Sequence, residues 1–140
     1  MFYVQFIKGK QISGEALFMQ SNFPEVPFYQ MGTGFTWNTQ DRSADIAAAE
    51  STWEYAKLLL RDPSIRLVVL DELTYMLSYK YLDEDEILHS IRNRPEQQSV
   101  VVTGRGGGSA IRELADTVSD INCVKHAFES GVAARKGVDF

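Results

Sequence analysis

Leu67-Val68-Val69-Leu70 is an unbroken apolar run that leads straight into Asp71-Glu72. A strand with one face in water alternates apolar and polar residues. A run with no polar position suits a strand covered on both faces, as in a parallel sheet between helices. Phe2 to Ile7, Phe28 to Met31 and Ser99 to Thr103 read as further short strands, each ended by a glycine, lysine or arginine-containing loop. Between them lie helical patterns. From Asp41 to Leu60, the residues Ile46, Ala49, Trp53, Ala56 and Leu60 recur at spacings that place them on one helical face. Asp62-Pro63-Ser64 ends that helix. Asp83 to Arg94 reads as a second helix, with Asp83 as its cap, Ile87 and Ile91 on one face and Pro95 as its stop. Glu15 to Gln20 suits a short helix, Ser109 can cap another through Ala115, and Val118 to Val124 is a further strand candidate. Strands that alternate with helices define an α/β fold with a mainly parallel sheet flanked by helices.

Composition removes several classes. At 140 residues, with 44% hydrophobic and 24% charged residues, the chain can build one globular core rather than remain disordered. Its 14 basic and 19 acidic residues give a net charge of −5, without the basic stripe of a nucleic-acid binder. No apolar run approaches the roughly 18 residues of a membrane span. A single cysteine, Cys123, and two histidines, His89 and His126, exclude a disulfide framework and a histidine- or cysteine-rich zinc site. Cys123 reads as a buried thiol. The N-terminal Met-Phe-Tyr-Val-Gln-Phe-Ile does not resemble a signal peptide, so the expected location is the cytoplasm.

In open parallel sheets ligands bind outside the carboxyl ends of the strands. Those ends are Lys8-Gly9, Gly32-Thr33, Asp71-Glu72 and Gly104-Arg105. Asp71 and Glu72 read either as a Walker-B-like acidic pair holding Mg²⁺ beside a triphosphate or as an acidic pair capping the next helix. Gly104 to Gly108 with Arg105 reads either as a cradle for phosphate or ribose or as a strand-to-helix turn. Phe35 and Trp37, in the segment Phe35-Thr36-Trp37-Asn38-Thr39-Gln40-Asp41-Arg42, either cover a ligand or fold back on the core. Trp53, Tyr55, Phe18 and Met19 read as packing residues. Tyr75, Tyr79 and Tyr81 read as cover for a sheet edge or a subunit contact.

Six segments in order carry a resemblance over essentially the whole chain. They are Val4 to Gly9, Gly14-Glu15, Gly34 to Arg42, Val68-Val69-Leu70-Asp71-Glu72-Leu73-Thr74-Tyr75, Thr103-Gly104-Arg105-Gly106 and Val124-Lys125-His126-Ala127-Phe128. Together they resemble the corrinoid adenosyltransferases (ATP:cob(I)alamin adenosyltransferases) of the P-loop, RecA-like class. The resemblance implies transfer of the 5′-deoxyadenosyl group of ATP to the Co(I) of a corrinoid, with release of triphosphate. It implies ATP, Mg²⁺ or Mn²⁺ and a corrinoid substrate, either cob(I)alamin or a precursor. It further implies an electron donor such as a reduced flavoprotein and a homodimer, with neither nucleic acid nor membrane as a partner. By the same resemblance, Phe35 and Trp37 form an apolar wedge against the axial face of the corrinoid, Glu72 with Asp71 holds the metal, Arg105 approaches the nucleotide and Lys8 lies near the phosphates. Such proteins carry a first strand, a glycine-rich P-loop of the G-N-G-K-G-K-T-T kind and a first helix ahead of the segment matching Phe2 to Gly9. The expectation is therefore a single domain over residues 1–140, of P-loop NTPase type and truncated at its N-terminus. The alternative reading is a non-catalytic corrinoid-binding or subunit-interaction module.

Overall fold

A computed structural model describes residues 1–6, 14–31 and 42–135. The sheet has four strands, β1 (Phe2–Gln5), β2 (Phe28–Gln30), β3 (Leu67–Asp71) and β4 (Ser99–Val102). All its pairings are parallel, in the order β2-β1-β3-β4. Helix α1 (Gly14–Asn22) joins β1 to β2, and α2 (Arg42–Arg61) precedes β3. Helices α3 (Leu73–Ser78) and α4 (Glu84–Arg92) lie between β3 and β4, and α5 (Ser109–Leu114) follows β4. Each expected strand and helix before residue 115 is present, with ends shifted by a few residues.

The core forms where α2 meets β1 and β3. Ala49, Trp53, Ala56 and Leu60 of the expected helical face are buried, and Ile46 is half-buried. The Trp53 ring lies 6.5 Å from that of Phe6, just beyond β1. Val68 and Leu70 of β3 are fully buried, while Val69 is half-buried. The apolar run thus has cover on both faces, heavier on one, as its composition requires. Tyr55 stacks on Tyr29 at 4.5 Å, joining α2 to the edge strand β2.

Two polar devices hold α2 in place. Gln98, fully buried just before β4, donates from Nε2 to the carbonyls of Leu59, Asp62 and Ile65 at 3.0, 3.2 and 3.1 Å. Those carbonyls close the C-terminal turn of the helix and the link to β3, where the Leu59 and Asp62 carbonyls also accept the amides of Asp62 and Ile65 at 3.3 and 3.2 Å. Lys57, buried along its stem, reaches Glu54 at 2.7 Å and Glu86 of α4 at 2.5 Å. Helix α4 starts as expected, with Asp83 accepting from the Glu86 amide at 2.8 Å.

Several expectations are corrected. Ser109 is the first residue of α5, and the cap position belongs to Gly108, at φ 66° and with no side-chain cap bond. Val118 to Val124 forms no strand. Ser119, Asp120 and Asn122 interrupt its apolar residues, and among the described residues no sheet edge pairs with it. Residues 115–135 are exposed throughout, Cys123 included. Phe18 is 57% exposed rather than packed, meeting Phe23 at the surface. No helix among the described residues is long and apolar enough to cross a membrane.

Gln98→Ala is expected to lower unfolding free energy by about 2–3 kcal/mol, because it removes the buried amide that three carbonyls share. Urea denaturation checks this, and a loss below about 0.5 kcal/mol would show that the amide is not what holds the end of α2.

Candidate nucleotide site at the carboxyl edge of the sheet

The chain leaves β1 toward β2 on one side and leaves β3 toward β4 on the other. A strand order that reverses in this way opens a crevice between the two central strands at their carboxyl ends. Gln5 and Asp71 are register partners at that position, the last residues of β1 and β3. Gln5 Nε2 donates to Asp71 Oδ2 at 2.8 Å. From beyond β4, Thr103 donates its hydroxyl to Asp71 Oδ1 at 2.6 Å. Burial, and after it the Asp71 carboxylate, holds the proton on the Tyr3 phenol of β1. One carboxylate thus gathers groups that follow or belong to three parallel strands.

Glu72 adopts a left-handed backbone, φ 61° and ψ 18°. For a residue with a Cβ this costs about 1–2 kcal/mol. Its amide donates to Thr103 Oγ1 at 3.0 Å. Glu72 occupies the N-cap position of α3 without a side-chain cap bond, and the Asp71 carboxylate serves Gln5 and Thr103. Helix capping therefore does not account for the acidic pair. Mg²⁺ beside a nucleotide takes one or two carboxylates and fills its remaining positions with phosphate oxygens and water. Asp71 and Glu72 match that donor set. Among the described residues no group of three or more His, Cys, Asp or Glu could cage a metal by itself.

The glycine loop after β4 is pressed onto α3. At Gly107, φ 61°, an added Cβ would lie 2.7 Å from the Thr74 carbonyl and 2.6 Å from Ser78 Oγ. At Gly104, φ 144°, it would lie 2.1 Å from Thr74 Oγ1. The loop is a tight turn as well as a possible cradle. It carries Arg105 to the surface beside Tyr75, whose phenol is held above its ordinary range by burial and by the Glu72 charge, against the opposing pull of Arg105. Tyr75, Tyr79 and Tyr81 stack in series, with ring centres 6.0 and 5.5 Å apart, all half-buried. Arg42, at the start of α2, lies over Tyr81 at 5.7 Å and donates to the Tyr79 carbonyl at 3.2 Å. His126 accepts from the Phe128 amide at 3.1 Å and caps a 3₁₀ turn, Ala127–Ser130.

Of the residues singled out in the sequence, the structure brings Asp71, Glu72 and Arg105 to one edge. Lys8, Phe35 and Trp37 lie outside the described residues. Residues that flank them do border the site: Met31 donates its amide to the Gln5 carbonyl at 3.0 Å, and Arg42 packs on the tyrosines. Sequence reasoning missed Tyr3, Gln5 and Thr103. The available signal was a polar residue closing each apolar strand, which has meaning only once the strand order is known.

This parallel fold with an acidic pair at its switch point is that of a nucleotide-handling α/β domain. The family model described as ATP:corrinoid adenosyltransferase BtuR/CobO/CobP matches residues 1–140, and the chain belongs to that family of transferases. Over 137 residues it is 52% identical to a corrinoid adenosyltransferase of Pseudomonas aeruginosa, covering 98% of this chain and 68% of that protein. It is 49% identical to a corrinoid adenosyltransferase of Escherichia coli K12, covering 98% and 69%. It is 48% identical to corrinoid adenosyltransferase CobA of Salmonella typhimurium, with the same coverage.

Two outcomes are expected. Gly106→Ala, with only Ser78 Oγ at 3.6 Å in its way, should cost the left-handed penalty alone, about 1–2 kcal/mol. Gly107→Ala should cost at least about 1 kcal/mol more, because backbone stands in the space its methyl needs. Equal losses on urea unfolding would refute the close packing of the loop on α3. The Tyr3 phenol is held above its ordinary value of 10.0, first by burial and then by the Asp71 carboxylate. Below pH 10 folded and unfolded chains both keep that proton. Above it the unfolded chain releases the proton first, so stability should fall as pH rises from there. Tyr3→Phe should flatten this fall in pH-dependent denaturation.

Proposed function

We propose that the chain takes part in adenosylating a corrinoid: the 5′-deoxyadenosyl group of ATP passes to Co(I), and triphosphate leaves. The lone pair of Co(I) forms the new bond to C5′ while the C5′–O bond breaks and its electron pair departs on the triphosphate. Co(I) is itself the nucleophile, so the protein's tasks are positioning and neutralisation of the leaving charge. The observation that carries the reading is the Asp71-Glu72 pair at the switch point, fixed by Gln5 and Thr103. Family membership and the names of the relatives favour catalysis over a purely corrinoid-binding module.

In this reading Glu72 and Asp71 hold Mg²⁺ or Mn²⁺, which supplies positive charge to the leaving triphosphate. Glu72 is the direct ligand, and Asp71, whose two oxygens accept from Gln5 and Thr103, stands behind it. Arg105 approaches the nucleotide from the glycine loop, and Lys8 approaches the phosphates from the segment after β1. Phe35 and Trp37 form the apolar wedge that excludes water and base from the axial face of the corrinoid and eases reduction to Co(I). What supports the wedge is the attachment of the residues that flank 32–41: Met31 to Gln5, the partner of Asp71, and Arg42 to the tyrosine row that begins at Tyr75. The resemblance further supports a reduced flavoprotein as electron donor, a homodimer as working unit and the cytoplasm as location.

Glu72→Gln should weaken Mg²⁺-dependent ATP binding by roughly ten-fold or more, the loss of a charge-assisted contact worth about 1.5–3 kcal/mol. Calorimetry with and without Mg²⁺ measures it, and unchanged affinity would remove Glu72 from the metal. Trp37→Ala should abolish four-coordinate corrinoid, seen in the visible spectrum, while leaving ATP affinity intact. Retention of that spectrum would remove Trp37 from the wedge.

A further inference from the structure

Thr103 stands in an unusual relation to the acidic pair. Its hydroxyl has one proton and two lone pairs. The proton goes to Asp71 Oδ1 at 2.6 Å, and a lone pair receives the Glu72 amide at 3.0 Å. Its own amide donates to the Leu70 carbonyl at 3.1 Å, and its carbonyl receives the Thr74 amide at 3.5 Å. One residue past the end of β4 therefore grips the backbone or side chain of Leu70, Asp71, Glu72 and Thr74. Within that grip Glu72 holds a left-handed backbone that glycine, asparagine or aspartate would enter more readily. A conformation of this kind persists only where its surroundings over-determine it.

We infer that Thr103 is the positioning residue of the site: its hydroxyl fixes the Asp71 carboxylate and the Glu72 backbone together, so that the two acids present one geometry to the metal–nucleotide complex. This inference rests on the proposed role of Asp71 and Glu72. The chemistry requires a group that donates and accepts through a single atom. Serine meets the requirement, valine has the shape without the function, and alanine has neither. Gly104 follows directly, at a φ of 144° and with no room for a Cβ against Thr74. The hydroxyl is thus the last fixed point before the glycine loop turns away with Arg105.

The test is titration of full-length protein with Mn²⁺ and ATP, read by electron paramagnetic resonance, on Thr103→Val, Thr103→Ser and Thr103→Ala, with thermal unfolding alongside. Loss of a group that orients a metal ligand costs about 10–100-fold in metal affinity. Thr103→Val is expected to show that loss, with faster hydrogen exchange at the Glu72 amide, while Thr103→Ser stays within about two-fold of the parent. Corrinoid affinity should not move. Parent-like Mn²⁺–ATP affinity in Thr103→Val overturns the inference. So does an equal loss in the serine and valine variants, since keeping the hydroxyl would then preserve nothing. If valine prevents folding, serine against alanine decides by the same criterion, and equal affinities overturn the inference. Glu72→Gln in the same titration separates the two layers. If it keeps parent affinity, the metal role of the pair fails; if it loses affinity while Thr103→Val does not, only the role of Thr103 fails.

Discussion

The carboxylate of Asp71, at the seam between β1 and β3, is the interaction on which the carboxyl edge of the sheet depends. Parallel strands need no tie at their ends, since their ladder runs through backbone groups alone. Here Gln5 and Thr103 both direct a donor at one side chain. The cost of placing a half-buried charge between strands is offset by these bonds, and charge-assisted hydrogen bonds are roughly twice as strong as neutral ones. Glu72, one residue on, inherits a backbone direction that it would not adopt alone.

The remainder of the fold keeps that seam rigid. Trp53 and Leu60 of α2 fill the space over β1 and β3, and Gln98 locks the end of the same helix to the approach of β4. Lys57 then ties α2 to α4 through Glu86. Removing one partner of a buried polar contact costs more than the contact contributes, which makes Gln98 a brittle point of an otherwise apolar core. The glycine loop completes the edge by close approach. At Gly107 the absence of a side chain lets backbone meet backbone, which is a packing requirement as much as a conformational one.

Much of this architecture was legible in the chain. The run Leu67 to Leu70 declares a strand with two covered faces, and the spacing from Ile46 to Leu60 declares the helix that covers one of them. Local patterns of this kind survive because burial has a direction that each residue must respect. The candidate Asp71-Glu72 was legible as well, as an acidic pair at a strand end. Whether it capped a helix or faced a crevice was not, because both readings need the same two residues. The tail failed for the opposite reason. Val118 to Val124 has strand-forming residues, yet a strand exists only where an edge receives it.

The sequence by itself determined the α/β class, the order of its elements, the acidic pair and, through six ordered segments, the family. Those depend on residue type and spacing along one chain. The tertiary structure alone decided that β1 and β3 are neighbours, which places Gln5 opposite Asp71 and brings Thr103 to both acids. It also decided that Glu72 turns left-handed and that Cys123 faces solvent. Residues 5, 71 and 103 are far apart in the chain, and no local propensity relates them. Their meeting follows from strand order, and strand order is set by how helices cover the sheet as a whole.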